Sequence, residues 1–287
     1  MCPGDGASDN APVSEPRPAP PRPARPIDLR QVSAYYDSFA EVAEERYTSN
    51  PVLVRVREAF RRAVERYAVS SMLDLGCGPG TDLGYFAARY PDRRYLGLDV
   101  SERMVEVARG KLAAVPGLRV ERGCAEDLPQ LLPGERFDLV YSFFGPLNTE
   151  PDLARAARAL RQVVTPGGVL VLSFVSRVYL LDSALALLRG RPGRALARLT
   201  DRWRGYSESR PLDARLYFPN EIAEAFRPGF EVERREGLSI VYPAWYRAQR
   251  FRADGSLLRA LWLGDRLLNR TPLWCAGEHL LYALRAV

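Results

Sequence analysis

The segment Asp74-Leu75-Gly76-Cys77-Gly78-Pro79-Gly80 has the residue types and spacing best suited to holding a ligand. It follows a short apolar run and opens a helical pattern, which is the context that a glycine-rich nucleotide loop requires. The glycines allow a tight turn and a close approach of backbone to ligand. A dinucleotide fingerprint has its third glycine where Thr81 stands, and Pro79 removes one N–H donor. The loop therefore favours a ligand without phosphates, because a pyrophosphate needs many such donors.

Asp99 supplies a second polar group that should lie at the same edge of a sheet. It ends the next apolar run, 25 residues after Asp74. An acid in this position is placed to bind the hydroxyls of a ribose. The loop and the acid together fit a nucleoside-bearing cofactor on a doubly wound sheet.

The elements that must position these groups follow from hydrophobic periodicity. From Ser71 onward, short apolar runs alternate with helical patterns, which predicts a parallel sheet covered on both faces. The predicted strands are 72–75, 94–98, 118–122, 137–142, 169–174, 230–236 and 279–284, with a further short strand at 216–218. The predicted helices are 28–47, one after Pro51, 81–89, 102–114, 152–164, 179–199, one through Phe226 capped by Asn220, and 256–268.

Three regions with different composition divide the chain. Residues 1–26 contain eight prolines and almost no large apolar side chain, which is typical of a disordered tail that is inert or docks a partner. Residues 27–70 are predicted to form an N-terminal helical lid. Residues 71–287 are predicted to form the cofactor-binding domain, with an insertion at about 176–218. That insertion is both basic and apolar, so it is a packed amphipathic helix, a cover over the substrate or a helix on a membrane surface.

Composition excludes several classes of protein. Hydrophobic residues make up 47% of the 287 residues, which excludes disorder of the whole chain. The net charge of 41 − 35 = +6 is almost all arginine spread among acids, with Lys111 as the one lysine, and this does not favour a nucleic-acid partner. Four isolated cysteines and one histidine predict neither a metal site nor a disulfide framework. No apolar run approaches the roughly 20 residues of a transmembrane helix, and we expect a cytoplasmic protein.

Five motifs, in this order, resemble those of class I S-adenosylmethionine-dependent methyltransferases. The resemblance is firm over about 35–174 and loose over the last two strands. The motifs are the glycine segment 74–80, Leu96–Met104, Cys124–Pro129, Phe137–Phe144 and Leu160–Gly168. This family implies an α/β fold with a doubly wound, seven-stranded, mostly parallel sheet whose last strand is antiparallel, with helices on both faces and a helical lid.

The resemblance implies the cofactor S-adenosyl-L-methionine and assigns its contacts by position. Asp74 and the backbone of Gly76, Gly78 and Gly80 would hold the methionine part of the cofactor. Asp99 would accept hydrogen bonds from the ribose hydroxyls. A purely structural role for these glycines and for Asp99 fits the pattern less well.

The adenine contacts implied by the resemblance lie further along the chain. Val100 and Met104 would pack against the ring, and Glu126 or Asp127 would lie near its amino group. The family often has an acid at the position of Cys124, so this part of the site departs from the pattern. For Glu126 and Asp127, a helix cap is an equally good interpretation.

The remaining candidates concern the reacting centre. Ser142 and Phe143 would line the space beneath the sulfonium. Tyr36 and Arg46 resemble lid residues that reach the cofactor carboxylate, although a packed helix face explains them equally well. Candidate catalytic residues are His279, the one histidine of the chain, and Tyr36. The alternative interpretation of His279 is that it has a purely structural role in the last strand.

The predicted function is methyl transfer to a small molecule on oxygen, nitrogen or carbon. The turn 142–148 lacks both a cysteine and an Asn-Pro-Pro-aromatic sequence, which argues against nucleobases and side-chain amides as acceptors. Aromatic residues in the presumed lid predict a largely apolar pocket for an apolar, aromatic or lipid-like acceptor, with peripheral membrane contact as one outcome. These residues are Tyr35, Tyr36, Tyr179, Trp203, Tyr217, Tyr242, Trp245 and Tyr246. The alternatives are a non-catalytic cofactor-binding or scaffolding protein and, more distantly, a nicotinamide-dependent oxidoreductase.

Overall fold

The computed structural model describes residues 27–196, 202–203, 212, 214–250 and 255–287. The proline-rich region 1–26 lies outside the described residues. The strands are β1 (Ser71–Leu75), β2 (Arg94–Asp99), β3 (Arg119–Arg122), β4 (Phe137–Ser142), β5 (Val164–Val175), β6 (Arg202–Trp203), β7 (Ala214–Arg215), β8 (Phe230–Leu238) and β9 (His279–Ala286). The α-helices are α1 (Leu29–Asp37), α2 (Ala43–Thr48), α3 (Pro51–Val64), α4 (Thr81–Arg89), α5 (Glu102–Leu112), α6 (Leu128–Leu131), α7 (Leu153–Val163), α8 (Leu180–Leu188), α9 (Pro192–Leu196), α10 (Pro219–Phe226) and α11 (Ser256–Leu268).

Seven strands form one sheet in the order β3-β2-β1-β4-β5-β9-β8. Each neighbouring pair from β3 to β5 is parallel, and β9 pairs antiparallel with both β5 and β8. The strand order reverses between β1 and β4, and ligands of open α/β sheets bind at such a switch point. The predicted fold class, with its one antiparallel strand, is confirmed.

Side chains that alternate along the central strands build two cores, one on each face of the sheet. On β1, Leu73 and Leu75 join the core beneath α7 and α10, whereas Met72 joins the core beneath α3, α4 and α5. On β4, Val140 faces the first core, and Leu139 and Tyr141 face the second. This two-sided burial explains why the strands appear in the sequence as continuous apolar runs.

The predicted helix 28–47 is broken into α1 and α2, and the bounds of β5 and α10 also differ from prediction. β5 begins at Val164, which pairs with Phe137, and the turn predicted at 165–168 forms an irregularity within the strand. α10 begins at Pro219, so Asn220 is not its cap, because Phe218 holds that position and its N–H donates to Glu221. A proline is well accommodated at the first helical position, where the missing N–H has no intrahelical partner.

The predicted strand at 216–218 is wrong. Tyr217 makes only an isolated bridge to Ser176, and the regular pairing in this region joins the two-residue strands β6 and β7. The predicted helix 179–199 is split into α8 and α9 around Gly190 and Pro192, and residues 197–199 lie outside the described part of the chain. Several leucines of α8, α9 and α11 are exposed, namely Leu180, Leu187, Leu188, Leu196, Leu257, Leu263 and Leu267.

The N-terminal helices are attached to the second strand–helix unit by a shared carboxylate. Asp37, at the end of α1, accepts hydrogen bonds from the Ser101 hydroxyl (2.6 Å) and the Arg103 N–H (3.1 Å) at the start of α5. Ion pairs of Glu41 with Arg103 and of Glu44 with Lys111 continue this contact. The helices therefore lie over the carboxyl end of β2. The division at residue 70 and the insertion bounds of about 176–218 stay predictions.

Among the described residues, no helix has the length and apolarity needed to cross a membrane. The most apolar helices, including α8, are short, and buried polar groups anchor them. Asp182 on α8 pairs with Arg247, for example, and both side chains are mostly buried.

Asp265 of α11 is expected to be a main support of the loop after β8. Its buried carboxylate accepts hydrogen bonds from the N–H groups of Ile240 (3.1 Å), Val241 (2.7 Å) and Tyr242 (2.9 Å). Asp265→Ala should lower the free energy of unfolding by roughly 2–4 kcal/mol, because three amides lose a charged acceptor. Urea denaturation gives the value. Asp28→Ala, which removes the exposed cap of α1, is the control and should cost about 1 kcal/mol. Equal losses in the two variants would contradict this role.

Candidate functional site

A cavity of about 640 Å³ opens at the carboxyl ends of β1 and β4. Its wall combines the glycine loop, the ends of β2 and β3, the loop after β4, the N-terminal helices, the segment after β8 and the start of β9. This is the crevice that the strand order predicts. Most of the predicted site residues line it, and they are Asp74, Gly76, Gly78, Asp99, Val100, Met104, Phe143, Tyr36, Arg46 and His279.

The glycine loop is held open toward the cavity by its backbone conformation. The N–H groups of Gly76 and Cys77 donate to the Leu98 carbonyl at 2.7 and 3.0 Å. Gly76 has φ of +76°, and a Cβ there would lie 2.3 Å from Pro146 Cγ, so only glycine fits. At Gly78, where φ is +52°, a Cβ would meet no protein atom within 4 Å. That open space lets a ligand approach the loop backbone, whereas Gly80 packs against Leu112 and is absent from the described cavity wall.

Asp99 joins the glycine loop to the start of α5. Its Oδ2 accepts from the Gly78 N–H at 2.8 Å, and its Oδ1 accepts from the Ser101 N–H at 2.9 Å. Burial raises the pKa of Asp99 to about 6, and the two N–H groups oppose that shift. Each oxygen keeps a lone pair, so the carboxylate can still accept from ligand hydroxyls.

Asp74 and Asp82 place two buried acids beneath the glycine loop. Burial raises the pKa of Asp74 well above its ordinary range, and the neighbouring Asp82 carboxylate raises it further. Asp82 is itself paired with Arg57 and with Arg61, the latter at 2.7 Å. These arginines, both from α3, were not identified from the sequence, because nothing local to α3 indicates that it crosses the site.

Aromatic side chains form the upper wall of the cavity. Of the predicted lid aromatics, Tyr35, Tyr36, Trp245 and Tyr246 line it. The prediction is wrong for three others, because Tyr179 and Tyr217 are buried in the protein interior and Tyr242 packs against Trp262. The side chain of Trp203 lies outside the described residues. Four aromatics that the lid prediction did not include complete the wall, and they are Phe39, Tyr47, Phe143 and Phe144.

The packing of Val100 and Met104 connects this wall to the lid. Val100 packs with the cluster of Ile27 and Val32, and Met104 packs with Ala40 and Ala43. Both side chains also line the cavity. A flat ring placed beside them would be covered by the N-terminal helices.

Three predicted site residues have other partners in the structure. The Asp127 carboxylate accepts from the Cys124 N–H at 2.9 Å, and Glu126 pairs with Arg155 at 3.1 Å. The Ser142 hydroxyl is fully buried and donates to the Leu75 carbonyl at 2.8 Å. Among the described residues, the cavity wall includes none of the three. Their contact with a cofactor therefore stays a prediction that local geometry does not favour.

His279 and Glu278 form a buried polar pair at the far wall. Their Nε2 and Oε2 atoms are 3.9 Å apart, and both residues line the cavity. The imidazole meets the rings of Phe60 and Phe144 edge to face, with centroids 5.9 and 6.0 Å away. Glu278 was missed because it precedes the predicted strand and no spacing marks it.

Glu150 is a further acid in the wall that the sequence did not single out. It is 5% exposed, and its Oε1 accepts from the Ala125 N–H at 2.8 Å. Among the described residues, its Oε2 has no hydrogen-bond partner. Burial raises the pKa of Glu150 to about 7, helped by the charges of Glu126 and Asp127.

A glycine loop at the switch point, with an acid at the end of the next strand, defines a Rossmann-like protein that binds a nucleoside-bearing cofactor. Residues 72–168 match the family model of the methyltransferase domain. The chain therefore contains a domain of the class I S-adenosylmethionine-dependent methyltransferase family. The cofactor of that family is S-adenosyl-L-methionine, and the open loop at Gly78 and the free lone pairs of Asp99 fit its methionine and ribose parts.

Methyltransferases are among the proteins that are similar to this chain. A 37.1 kDa protein of transposon TN4556 from Streptomyces fradiae is 40% identical over 45% of this chain and 41% of its own length. The trans-aconitate 2-methyltransferase of Methylobacterium radiotolerans is 38% identical over 34% of this chain and 35% of its own length. A third relative is the dTDP-3-amino-3,4,6-trideoxy-alpha-D-glucopyranose N,N-dimethyltransferase of Streptomyces venezuelae. It is 32% identical over 46% of this chain and 54% of its own length. The chain thus spans about half or less of these relatives.

Solved structures extend the similarity of the fold to nearly the whole chain. The [4+2]-cyclase SpnF has a TM-score of 0.59 and 19% identity, covering 92% of this chain and 97% of that one. The complex of the Haloferax volcanii Trm112 activator and a methyltransferase gives a TM-score of 0.55 and 20% identity, covering 88% and 97%. At these identities the likeness concerns the fold alone.

The raised pKa values of the cavity acids should make stability depend on pH. Because burial raises the pKa of Glu150 to about 7, the folded state binds a proton that the unfolded chain has lost above about pH 4.3. The contribution of Glu150 to stability therefore falls as the pH rises through about 7. The free energy of unfolding of Glu150→Gln minus that of the wild type should become more positive from about pH 5 to about pH 8, by roughly 1–3 kcal/mol.

Urea denaturation at the two pH values measures this difference. Glu121→Gln is the control, because that side chain is 40% exposed and paired with Arg109 on the surface. We expect no comparable trend in the control. A difference for Glu150→Gln that does not change with pH would contradict the burial of an acid with a raised pKa.

Proposed function

We propose that this protein is a cytoplasmic S-adenosyl-L-methionine-dependent methyltransferase that acts on a small apolar or aromatic molecule. The observation that carries the proposal is one cavity in which the glycine loop and Asp99 face an aromatic wall formed by Tyr36, Phe143 and Trp245. The cofactor end and the acceptor end are therefore contiguous. The free thiols of Cys77, Cys124 and Cys275 are in keeping with a reducing compartment.

The chain's own residues would act chiefly by positioning the reactants. The bound cofactor supplies a methyl group already activated by a sulfonium, so holding the acceptor in line provides much of the rate. The Gly76–Gly78 backbone would hold the methionine part, and Asp99 would accept from the ribose hydroxyls. The rings of Phe143 and Phe144 lie at the end of β4, where they would exclude water from the reacting atoms.

The substrate class is supported by the cavity wall and by exposed apolar side chains elsewhere on the surface. Aromatic side chains dominate the acceptor end, which suits a largely apolar ligand with few polar contacts. The exposed leucines of α8 and α11 favour a lipid-like acceptor and contact with a membrane surface. Arg46 also lines the cavity, so a carboxylate acceptor like the trans-aconitate of the relatives is the contrasting class.

A non-catalytic cofactor-binding or scaffolding role is the alternative function. It predicts binding of the cofactor product without turnover. Incubation with methyl-labelled cofactor and three groups of acceptors separates the possibilities. The groups are soluble aromatics, amphiphiles in anionic vesicles, and polycarboxylates. Labelling of either of the first two groups supports the proposal, and labelling of the polycarboxylates alone overturns the proposed substrate class. A mixture of lysate metabolites is tested as well. If no compound in any of these samples is labelled, the alternative function is favoured.

Asp99 should carry much of the affinity for the cofactor. Asp99→Ala is expected to weaken binding of S-adenosylhomocysteine by roughly 1–3 kcal/mol, because a charged acceptor of two hydroxyls is lost. Titration calorimetry measures the affinity, with NAD as the comparison ligand and Glu121→Gln as the control variant. Unchanged affinity in Asp99→Ala, or tighter binding of NAD by the wild type, would contradict the assignment.

His279 is proposed as the base for an acceptor that loses a proton. With an acceptor found in the labelling experiment, His279→Asn should lower kcat by about 10²-fold or more. The affinity of this variant for S-adenosylhomocysteine should stay unchanged, since the imidazole packs against Phe60 and Phe144 and not against the glycine loop or Asp99. Tyr36→Phe, made in parallel, tests the other candidate. A wild-type kcat in His279→Asn would leave this histidine with a structural role only.

A further inference from the structure

One carboxylate in the cavity wall has a hydrogen-bonding capacity that the protein does not use. Glu150 is buried, and its Oε1 is fixed by the Ala125 N–H. Among the described residues, nothing donates to its Oε2. A buried acceptor left unpaired costs free energy that a ligand donor would recover.

The position of Glu150 relative to Asp99 indicates which part of a ligand it would meet. The Asp99 carbonyl accepts from the Gly123 N–H at 2.9 Å, so the end of β3 lies directly beside the proposed ribose site. Gly123 and Cys124 line the cavity there. Glu150 is held one residue further along, at Ala125. A base attached to a ribose at Asp99 would therefore extend toward Glu150.

The surrounding charges favour a donor that carries no negative charge. Glu126 and Asp127 both raise the pKa of Glu150, and among its described neighbours only the Ala125 N–H acts in the opposite direction. Cys124 stands where an acid is common in the family, and burial raises the pKa of its thiol to about 12, so it supplies no anion. The acid on this side of the cavity thus comes from the loop after β4.

We propose that Glu150 is the acceptor for the exocyclic amino group of the adenine ring, in place of an acid at position 124. This inference rests on the proposed function, because it presupposes that the cavity binds S-adenosyl-L-methionine. It makes Glu150 a determinant of base specificity. Above the pKa of about 7, where Glu150 is ionised and can only accept, a base with a carbonyl oxygen at the same position would face a carboxylate oxygen and would be rejected.

Calorimetry with two ligands at about pH 8, where Glu150 is ionised, tests the inference without a methyl acceptor. The ligands are S-adenosylhomocysteine and S-inosylhomocysteine, which differ by an amino group against a carbonyl at the ring position in question. The wild type should bind the adenosyl compound at least about tenfold more tightly, a difference of ~1.4 kcal/mol. Glu150→Ala should reduce that preference to about twofold or less, chiefly by weakening the adenosyl compound.

Two further variants keep the test decisive. Glu150→Gln keeps the size of the side chain, and its amide can donate to the inosyl carbonyl, so the preference should shrink in this variant as well. Glu121→Gln is the control and should keep the preference, because this side chain is paired with Arg109 on the surface and lies outside the described cavity wall. A wild type that binds neither ligand would overturn the proposed function. Equal affinity of the wild type for both, or an undiminished preference in the Glu150 variants, would overturn this inference alone.

Discussion

The arrangement of the site depends on the carboxylate of Asp99. Its two oxygens hold the N–H of Gly78 on one side and the N–H of Ser101 on the other. Ser101 in turn donates to Asp37, which ends α1. A single side chain at the end of β2 thus fixes the open form of the glycine loop, the start of α5 and, through one further hydrogen bond, the helices that cover the cavity.

The cavity concentrates buried acids more than cations. Asp74, Asp99, Glu150 and Glu278 line it, and Arg57 is mostly committed to Asp82. Burial raises the pKa of Asp74 and of Asp99 because ionised carboxylates lose solvation there. Such a site is less favourable for the empty protein than for a complex with a ligand that brings donors and positive charge. Ligand affinity and the stability of the folded chain are therefore coupled through the same groups.

What could be predicted from sequence was whatever local spacing determines. The strands of the seven-stranded sheet, the glycine loop and Asp99 were located because apolar runs and glycine spacing can be recognised within a few residues. Glu150 and Glu278 were not found, because their place in the cavity depends on contacts such as that of Glu150 with Ala125, 25 residues away. The lid aromatics were only partly right for the same reason: composition shows that rings are present, but the chain path decides that Tyr217 packs on Phe174 and not on a ligand.

The position of β9 between β5 and β8 has a consequence for synthesis of the chain. During translation β1 to β5 emerge first, and the partner strand that covers the outer edge of β5 follows roughly 100 residues later. Until then β5 presents an uncovered, strongly apolar edge, which is a hazard for aggregation. The nascent chain is thus exposed to aggregation while the residues between β5 and β9 are being synthesised. The wall of the cavity that contains His279 can form only after β9 has been added.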